Sequence, residues 1–311
     1  MITTMNIPVH KPVLTREVIE GLNIAPGKHY IDCTLGLGGH AQSILASSYP
    51  GGRLLGIDAD PEAALIARDN LYEYSDNITI VNDNFTNLEE ICREYGFTDV
   101  DGILFDLGIS SLQLDTPERG FSFQSDAELD MRFSPDQVLT AMDLVNILPE
   151  QKLAQLLEEY GEEHRARRIA RSIVANRPVN STRKLAQIIE QVAKGERGHI
   201  HPATKTFLAL RIVVNHELEN LRSALEQSIK LLNKNGRLVV LSYHSLEDRI
   251  VKQFMKRESS ACICPPETPV CVCGHIPTLN LITKKVVTPS IEEIKNNPRS
   301  RSAKLRVAEK V

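Results

Sequence analysis

The sequence predicts a doubly wound, parallel α/β sheet interrupted by an all-helical insert. Three observations predict it. Strand-then-helix units repeat through the first third of the chain, the strand signals stop between Asp115 and Asn215, and they return before the C-terminus. The chain has 311 residues, of which 42% are hydrophobic and 24% charged, enough for one large α/β domain carrying a smaller one.

In order, Tyr30–Thr34 reads as a first apolar strand, followed by a glycine turn and a helical pattern over His40–Ser47. Arg53–Asp58 is a second strand, and Pro61–Tyr72 a helix with proline in its first turn. Ile78–Val81, the helix Leu88–Tyr95 and the strand Gly102–Asp106 complete the repeat. Then come five helical stretches, Gln137–Asn146, Pro149–Tyr160, Glu162–Asn176, Thr182–Ala193 and Ala203–Asn215. Strands are expected again at Arg237–Leu241, Thr283–Thr288 and Ala303–Val307. The predicted domains are therefore 1–114 and 217–311 for the sheet, with 115–216 inserted.

The N-terminus lacks a signal-peptide core and no apolar run approaches membrane-spanning length, so a cytoplasmic protein without membrane contact is expected. Six cysteines are too few for a disulfide framework in a chain of this size. A net charge of −4 rules out an overall cationic coat but leaves room for a local basic face.

Asp32-Cys-Thr-Leu-Gly36-Leu-Gly38-Gly39-His40-Ala41 stands where the first strand turns into the first helix. Glycines there let backbone approach a ligand without a Cβ in the way. Asp58, twenty residues beyond Gly38, ends the second strand, where a carboxylate can accept from both hydroxyls of a ribose. The third strand ends in Asn82-Asp83-Asn84-Phe85, a polar edge with an aromatic face, and the fourth in Phe105-Asp106 followed by Gly108, Ser110 and Ser111. By itself Gly36-x-Gly38-x-x-Ala41 also fits a dinucleotide fingerprint, and Asp58 and Asp106 also suit helix N-caps. An oxidoreductase reading lacks a His or Tyr-Lys arrangement suited to hydride transfer, whereas a non-catalytic RNA-binding module stays open.

At this point longer phrases become recognisable: His10-Lys-Pro-Val-Leu, Gly36-Leu-Gly-Gly-His40, Gly56-Ile-Asp-Ala-Asp60, Phe105 through Asp115, Arg119-Gly-Phe-Ser-Phe, Asp130-Met-Arg, Tyr160-Gly-Glu-Glu, Ser242-Tyr-His-Ser-Leu-Glu-Asp-Arg249 and Asn297 through Arg306. Together, and in this order, they resemble the bacterial 16S ribosomal RNA (cytosine-N4)-methyltransferase family (RsmH/MraW). The resemblance implies a class I, Rossmann-like methyltransferase fold with a helical insert. It implies S-adenosyl-L-methionine as cofactor and, as substrate, a cytidine of 16S rRNA in the small ribosomal subunit near the P site. Carried over by motif, Gly38, Gly39 and His40 contact the cofactor, Asp58 holds its ribose, Phe85 lies against its adenine, and Asp106 and Gln113 complete the pocket. Oligomeric state is not implied, and a homodimer stays open.

Methyl transfer to an exocyclic amine needs alignment and an acceptor for the amine's proton. Asp106 is the first candidate for that role, with Ser110 or Ser111 helping; its rival role is cofactor binding alone. Tyr243 is placed to stack on the target base and His244 to bond to it. The alternative for this stretch is a strand-to-helix turn capped by Ser245, with Glu247 or Asp248 in the first helical turn.

From His164 through Arg211 the chain carries eleven Lys or Arg against two Glu. Arg165, Arg167, Arg168, Arg171, Arg183, Lys184 and Lys205 make the insert the expected RNA-recognition domain. The alternative is a solvated surface paired to Glu158, Glu159, Glu162 and Glu163. Cys262-x-Cys264 and Cys271-x-Cys273 flank a Pro-rich loop, either as a tetrahedral zinc site, with His275 as an alternative ligand, or as reduced surface thiols. Methyl transfer itself calls for no metal.

Overall fold

A computed structural model describes residues 12–194, 201–268 and 270–311. His10 and Lys11 of the first recognisable phrase, and Arg197 of the basic stretch, lie outside the described residues. The chain forms two compact units, Met1–Gly108 with Leu221–Val311, and Ile109–Asn220.

In the first unit α1 (Thr15–Leu22) precedes β1 (His29–Asp32), α2 (Gly39–Ser48), β2 (Arg53–Asp58), α3 (Pro61–Asn70), β3 (Ile78–Asn82), α4 (Leu88–Tyr95) and β4 (Val100–Asp106). The second unit holds α5 (Ser111–Asp115), α6 (Ala141–Ile147), α7 (Glu150–Gly161), α8 (Ala166–Ala175), α9 (Thr182–Val192) and α10 (Thr204–Asn215). Next, α11 (Glu217–Leu231) leads into β5 (Leu232–Ser242), α12 (Ser245–Glu258), β6 (Leu279–Leu281), α13 (Ile291–Asn296) and β7 (Lys304–Lys310).

The seven strands run in the order β3-β2-β1-β4-β5-β7-β6. Strands β1 to β5 are mutually parallel, while β7 lies antiparallel to both β5 and β6. The order reverses direction between β1 and β4, the switch point at which open α/β sheets bind ligands. Apolar runs explain why these strands are central: Tyr30, Ile31, Leu54, Leu55, Ile103, Leu104, Val239 and Val240 are all buried.

The helical unit follows from 3.6-residue patterning. In α8, Ala166, Ile169, Ala170 and Ile173 are buried, which turns Arg167, Arg168 and Arg171 outward. Each buried aliphatic side chain contributes about 1.5–3 kcal/mol. The loop before α6 is held by polar bonds. Arg132 grips Asp130 through Nε and Nη2 at 2.8 and 2.7 Å, Arg119 donates to the carbonyls of Arg132 and Phe133, and the Asn215 amide spans Phe133 N and Met131 O.

Several expected bounds shift for local reasons. The first strand stops at Asp32 because the Asp32 carboxylate captures Thr34 N at 3.1 Å. The helix expected from Gln137 begins at Ala141, where Thr140 and Asp143 form a capping box, and the Gln137 amide instead bonds Ser134 N and Val214 O. The helix expected from Glu162 begins at Ala166, since Glu162 takes a left-handed conformation that ends α7 and the Glu163 carboxylate folds back on Arg165. The strand expected at Thr283–Thr288 is absent. The edge strand is Leu279–Leu281, and Val287 makes only an isolated bridge to Leu305. Thr283 spends its hydroxyl on the β7 backbone, accepting from Val307 N at 2.9 Å, so beyond that point the segment meets β7 again only at the Val287 bridge. β5 and β7 both run longer than expected.

Candidate active site

Parallel register brings Asp32, Asp58, Asn82, Asp106 and Ser242 to one carboxyl edge of the sheet: Asp58 pairs with Asn82, Asp32 with Leu104, and Asp106 with Leu241. Four of the predicted cofactor contacts in this unit, His40, Asp58, Phe85 and Asp106, stand at or just beyond these strand ends.

The glycine loop is shaped by contact as well as by conformation. Gly38 caps α2 with φ 88°, and a Cβ there would lie 2.8 Å from Leu71 Cδ1. At Gly39 a Cβ would meet Pro12 Cγ at 2.7 Å. Only glycine accommodates both the left-handed turn and these neighbours.

Asp58 does not cap a helix; Asp60 caps α3, accepting from Glu62 N at 3.1 Å. Instead, Asp58 Oδ2 accepts from Gly36 N at 2.7 Å and Oδ1 from Asp60 N at 2.9 Å. The carboxylate thus ties the glycine loop to β2. An ionised carboxylate offers about four acceptor sites, enough for these backbone donors and a ribose diol together. Beside it, Asn82 Nδ2 bonds Asp58 O, and Asn84 caps the turn that carries Phe85. Asp83 is taken up locally, its Oδ1 accepting from Asn84 N and Asn87 Nδ2. Phe85 packs edge-on against Phe105 with ring centroids 5.6 Å apart, which fixes its ring at the edge.

Around Asp106 three polar groups converge. The Tyr243 hydroxyl donates to Oδ1 at 2.7 Å, His40 Nε2 stands 3.4 Å from Oδ2, and Asp106 N donates to Thr34 Oγ1 at 2.6 Å. Thr34 is in turn held by Asp32. Asp106 is therefore the end of a strand and not a helix cap; Ser110 caps α5.

Burial makes this cluster electrostatically unusual. It pushes the Asp32 carboxyl up to about 6, against the pull of His40. For His40 burial acts downward, but Asp106, with its Oδ2 3.4 Å from Nε2, and Asp32 behind carry it above its ordinary value. Burial and the Asp106 charge hold the Tyr243 phenol well above the usual range, so it stays a donor. Both ring nitrogens of His40 are buried without a hydrogen bond among the described residues, the kind of orphans that a ligand satisfies.

His244, and not Ser245, caps α12: its Nδ1 faces Glu247 N at 3.5 Å and its Nε2 lies 3.1 Å from Glu247 Oε1. Glu247 answers by accepting from Tyr243 N at 2.8 Å. This capping box aims Tyr243 at Asp106. Thr34 was not among the residues singled out from sequence, and Glu247 was expected only as an acid of the first helical turn; its His-x-x-Glu spacing just after an apolar strand was the legible signal for its capping role.

Ser110, Ser111 and Gln113 belong to the second unit. Ser110 and Gln113 form a reciprocal capping box, with Gln113 N on Ser110 Oγ at 3.2 Å and Ser110 N on Gln113 Oε1 at 3.1 Å. Ser111 is the first residue of α5.

The basic stretch divides into structural and surface groups. Arg165 pairs with buried Glu163, Arg177 donates to the carbonyls of Val145 and Leu148, and Arg211 is bidentate with Glu217 at 2.7 and 2.8 Å. Arg168 donates to Val192 O, Arg171 faces Glu150, Lys184 donates to Pro178 O and Lys205 to Glu162 O. Arg167, Arg183 and Lys194 are exposed and make no hydrogen bond or ion pair among the described residues.

A glycine loop, an acidic end to β2, an acidic end to β4 and an antiparallel β7 beside β5 together define a class I methyltransferase. The sequence profile of the MraW methylase family matches residues 8–311. The Ribosomal RNA small subunit methyltransferase H of Dehalococcoides mccartyi is 56% identical over 302 residues, covering 97% of this chain and 86% of that protein. The protein of the same name from Thermomicrobium roseum is 51% identical over 305 residues, covering 97% and 94%. A solved rRNA methylase from Streptococcus thermophilus gives a TM-score of 0.43 at 10% identity, covering 96% of this chain and 93% of that one, a loose likeness of chain path. The chain belongs to the MraW methylase family and is a methyltransferase.

Proposed function

We propose that the protein methylates the N4 amine of a cytidine in 16S ribosomal RNA near the ribosomal P site, using S-adenosyl-L-methionine, in the cytoplasm. The relatives' names support ribosomal RNA of the small subunit as substrate, and the recognisable phrases support the cytidine amine. The absence of any helix long and apolar enough to cross a membrane, among the described residues, accords with a substrate met in solution.

The observation that carries the reading is Asp106, held at the sheet edge by Tyr243 and flanked by His40. Gly38, Gly39, His40, Asp58 and Phe85 are the groups of the sheet-bearing unit that would hold S-adenosylmethionine. That cofactor supplies an electrophilic methyl on a sulfonium. Cytosine N4 is a poor nucleophile because its lone pair is delocalised into the ring. Asp106 is suited to accept a hydrogen bond from N4–H, which localises that lone pair, and later to take the proton. Tyr243 orients the carboxylate and, remaining a phenol, does not compete for the proton. His40, drawn toward its charged form, places positive charge 3.4 Å from Asp106 Oδ2. His244 acts through the α12 cap that aims Tyr243. Exposed Arg167, Arg183 and Lys194 give the helical unit phosphate-binding groups for RNA.

The test is methyl incorporation from labelled donor into free 16S RNA and into assembled small subunits, with nucleoside analysis of the product. N4-methylcytidine at one position is expected; methyl found on a ring carbon, a ribose or another base would sink the proposal. An Asp106→Asn variant with an unchanged maximal rate would remove Asp106 from the role of proton acceptor.

A further inference from the structure

Between the end of α12 at Glu258 and the start of β6 at Leu279 the described chain forms neither helix nor strand. A structureless connection longer than about 12–15 residues is uncommon in a compact domain and needs something to order it. Its base is closed by Thr278, whose N–H donates to Glu258 O at 2.8 Å and whose hydroxyl donates to Glu258 Oε2 at 2.7 Å. Its apolar residues build no core, since Val270, Val272 and Ile276 are 73%, 82% and 76% exposed. What the segment does bring together is sulfur.

Cys262, Cys264, Cys271 and Cys273 place their four Sγ atoms within 4.8 Å of one another. Two of the edges are 3.5 Å (Cys271 to Cys273) and 3.8 Å (Cys262 to Cys273). A tetrahedron of thiolates at a zinc–sulfur distance of about 2.3 Å has edges of about 3.8 Å. A disulfide needs about 2.05 Å, and all four cysteines are free thiols. Backbone N–H groups also point at the sulfurs: Ile263 N to Cys273 at 3.5 Å, Cys264 N to Cys262 at 3.4 Å and Val272 N to Cys264 at 3.4 Å. Such outer bonds orient thiolates and disperse their charge around a metal. None of the residues assigned to methyl transfer belongs to the cluster.

We infer that these four cysteines form a structural zinc site that staples the segment between α12 and β6. The donor set is four soft thiolates with no position left for water, which selects a closed tetrahedral d10 cation and assigns it no part in the chemistry. The ion replaces the hydrophobic core that the segment lacks, and β6 leaves the stapled loop already directed along β7.

Metal analysis of the full chain, purified in reductant without chelator, tests this. About one zinc per chain is expected, with a Cys262→Ser, Cys271→Ser double variant at background. Because that variant could lose local structure, the unaltered chain supplies a second measurement. Cobalt exchanged into it should show the intense thiolate bands of a tetrahedral four-sulfur site, and a strong chelator should expose four thiols to a colorimetric reagent. Zinc at background in the unaltered chain, iron in its place, four thiols reactive before chelation, or a mass lowered by disulfide formation would each overturn the assignment.

Discussion

Asp32 is a carboxyl placed where its charge is costly, and that has a measurable sign. Burial lifts it from 3.8 to about 6, so the folded chain binds a proton that the unfolded chain releases between those values. Its contribution to stability is therefore full below about pH 4 and lost as pH rises through about 6. Replacing Asp32 with Asn should remove a pH dependence on the order of 3 kcal/mol, read as the difference between wild type and variant in urea unfolding at about pH 4 and pH 7.5. A difference that stays constant with pH would refute it. Asp58 binds through both oxygens, so Asp58→Ala loses the loop anchor and, on the proposed function, the ribose acceptor with it. S-adenosylmethionine affinity is expected to fall about 100-fold, on charged hydrogen bonds worth about 1.5–3 kcal/mol each, as titration calorimetry would report. Tyr243→Phe removes one bond to Asp106 and should slow single-turnover methylation about tenfold while leaving cofactor affinity in place. If affinity falls and the rate does not, Tyr243 belongs to the cofactor pocket instead.

Elements carry the site through their ends, and ends were where sequence reading was least secure. Apolar runs announced β1 to β4 because a buried parallel strand has no other way to be written. The cap of α12 was misplaced by one residue, since Ser245 is the better capping type and only the folded turn shows that His244 and Glu247 reciprocate. The Thr283–Thr288 strand failed because its propensity is real but Thr283 meets β7 through its side-chain hydroxyl, which takes the Val307 N–H that a ladder bond would need. At the start of α2, Gly38→Ala meets both a positive φ and Leu71, so thermal unfolding should show a loss of about 1–3 kcal/mol. An alanine variant as stable as wild type would mean that the loop relaxes freely.

Over the molecule as a whole, the basic stretch is less of an RNA surface than its count of charges suggests. Arg165, Arg177 and Arg211 bind carboxylates or carbonyls inside their own unit. Replacing Arg167, Arg183 and Lys194 by alanine should leave stability unchanged and flatten the dependence of log K for RNA on log salt by about 2. An unchanged slope would place the phosphate contacts elsewhere.

Sequence by itself determined the parallel sheet, the helical interruption, the glycine loop and the carboxylates at the strand ends. These are properties of local pattern: apolar periodicity, glycine, and spacing along one chain segment. Only tertiary structure decided what those carboxylates do. Asp58 holds a loop, Asp32 carries a raised proton affinity and Asp106 meets Tyr243 from 137 residues away, because burial and through-space charge depend on neighbours that the chain brings in from distant segments.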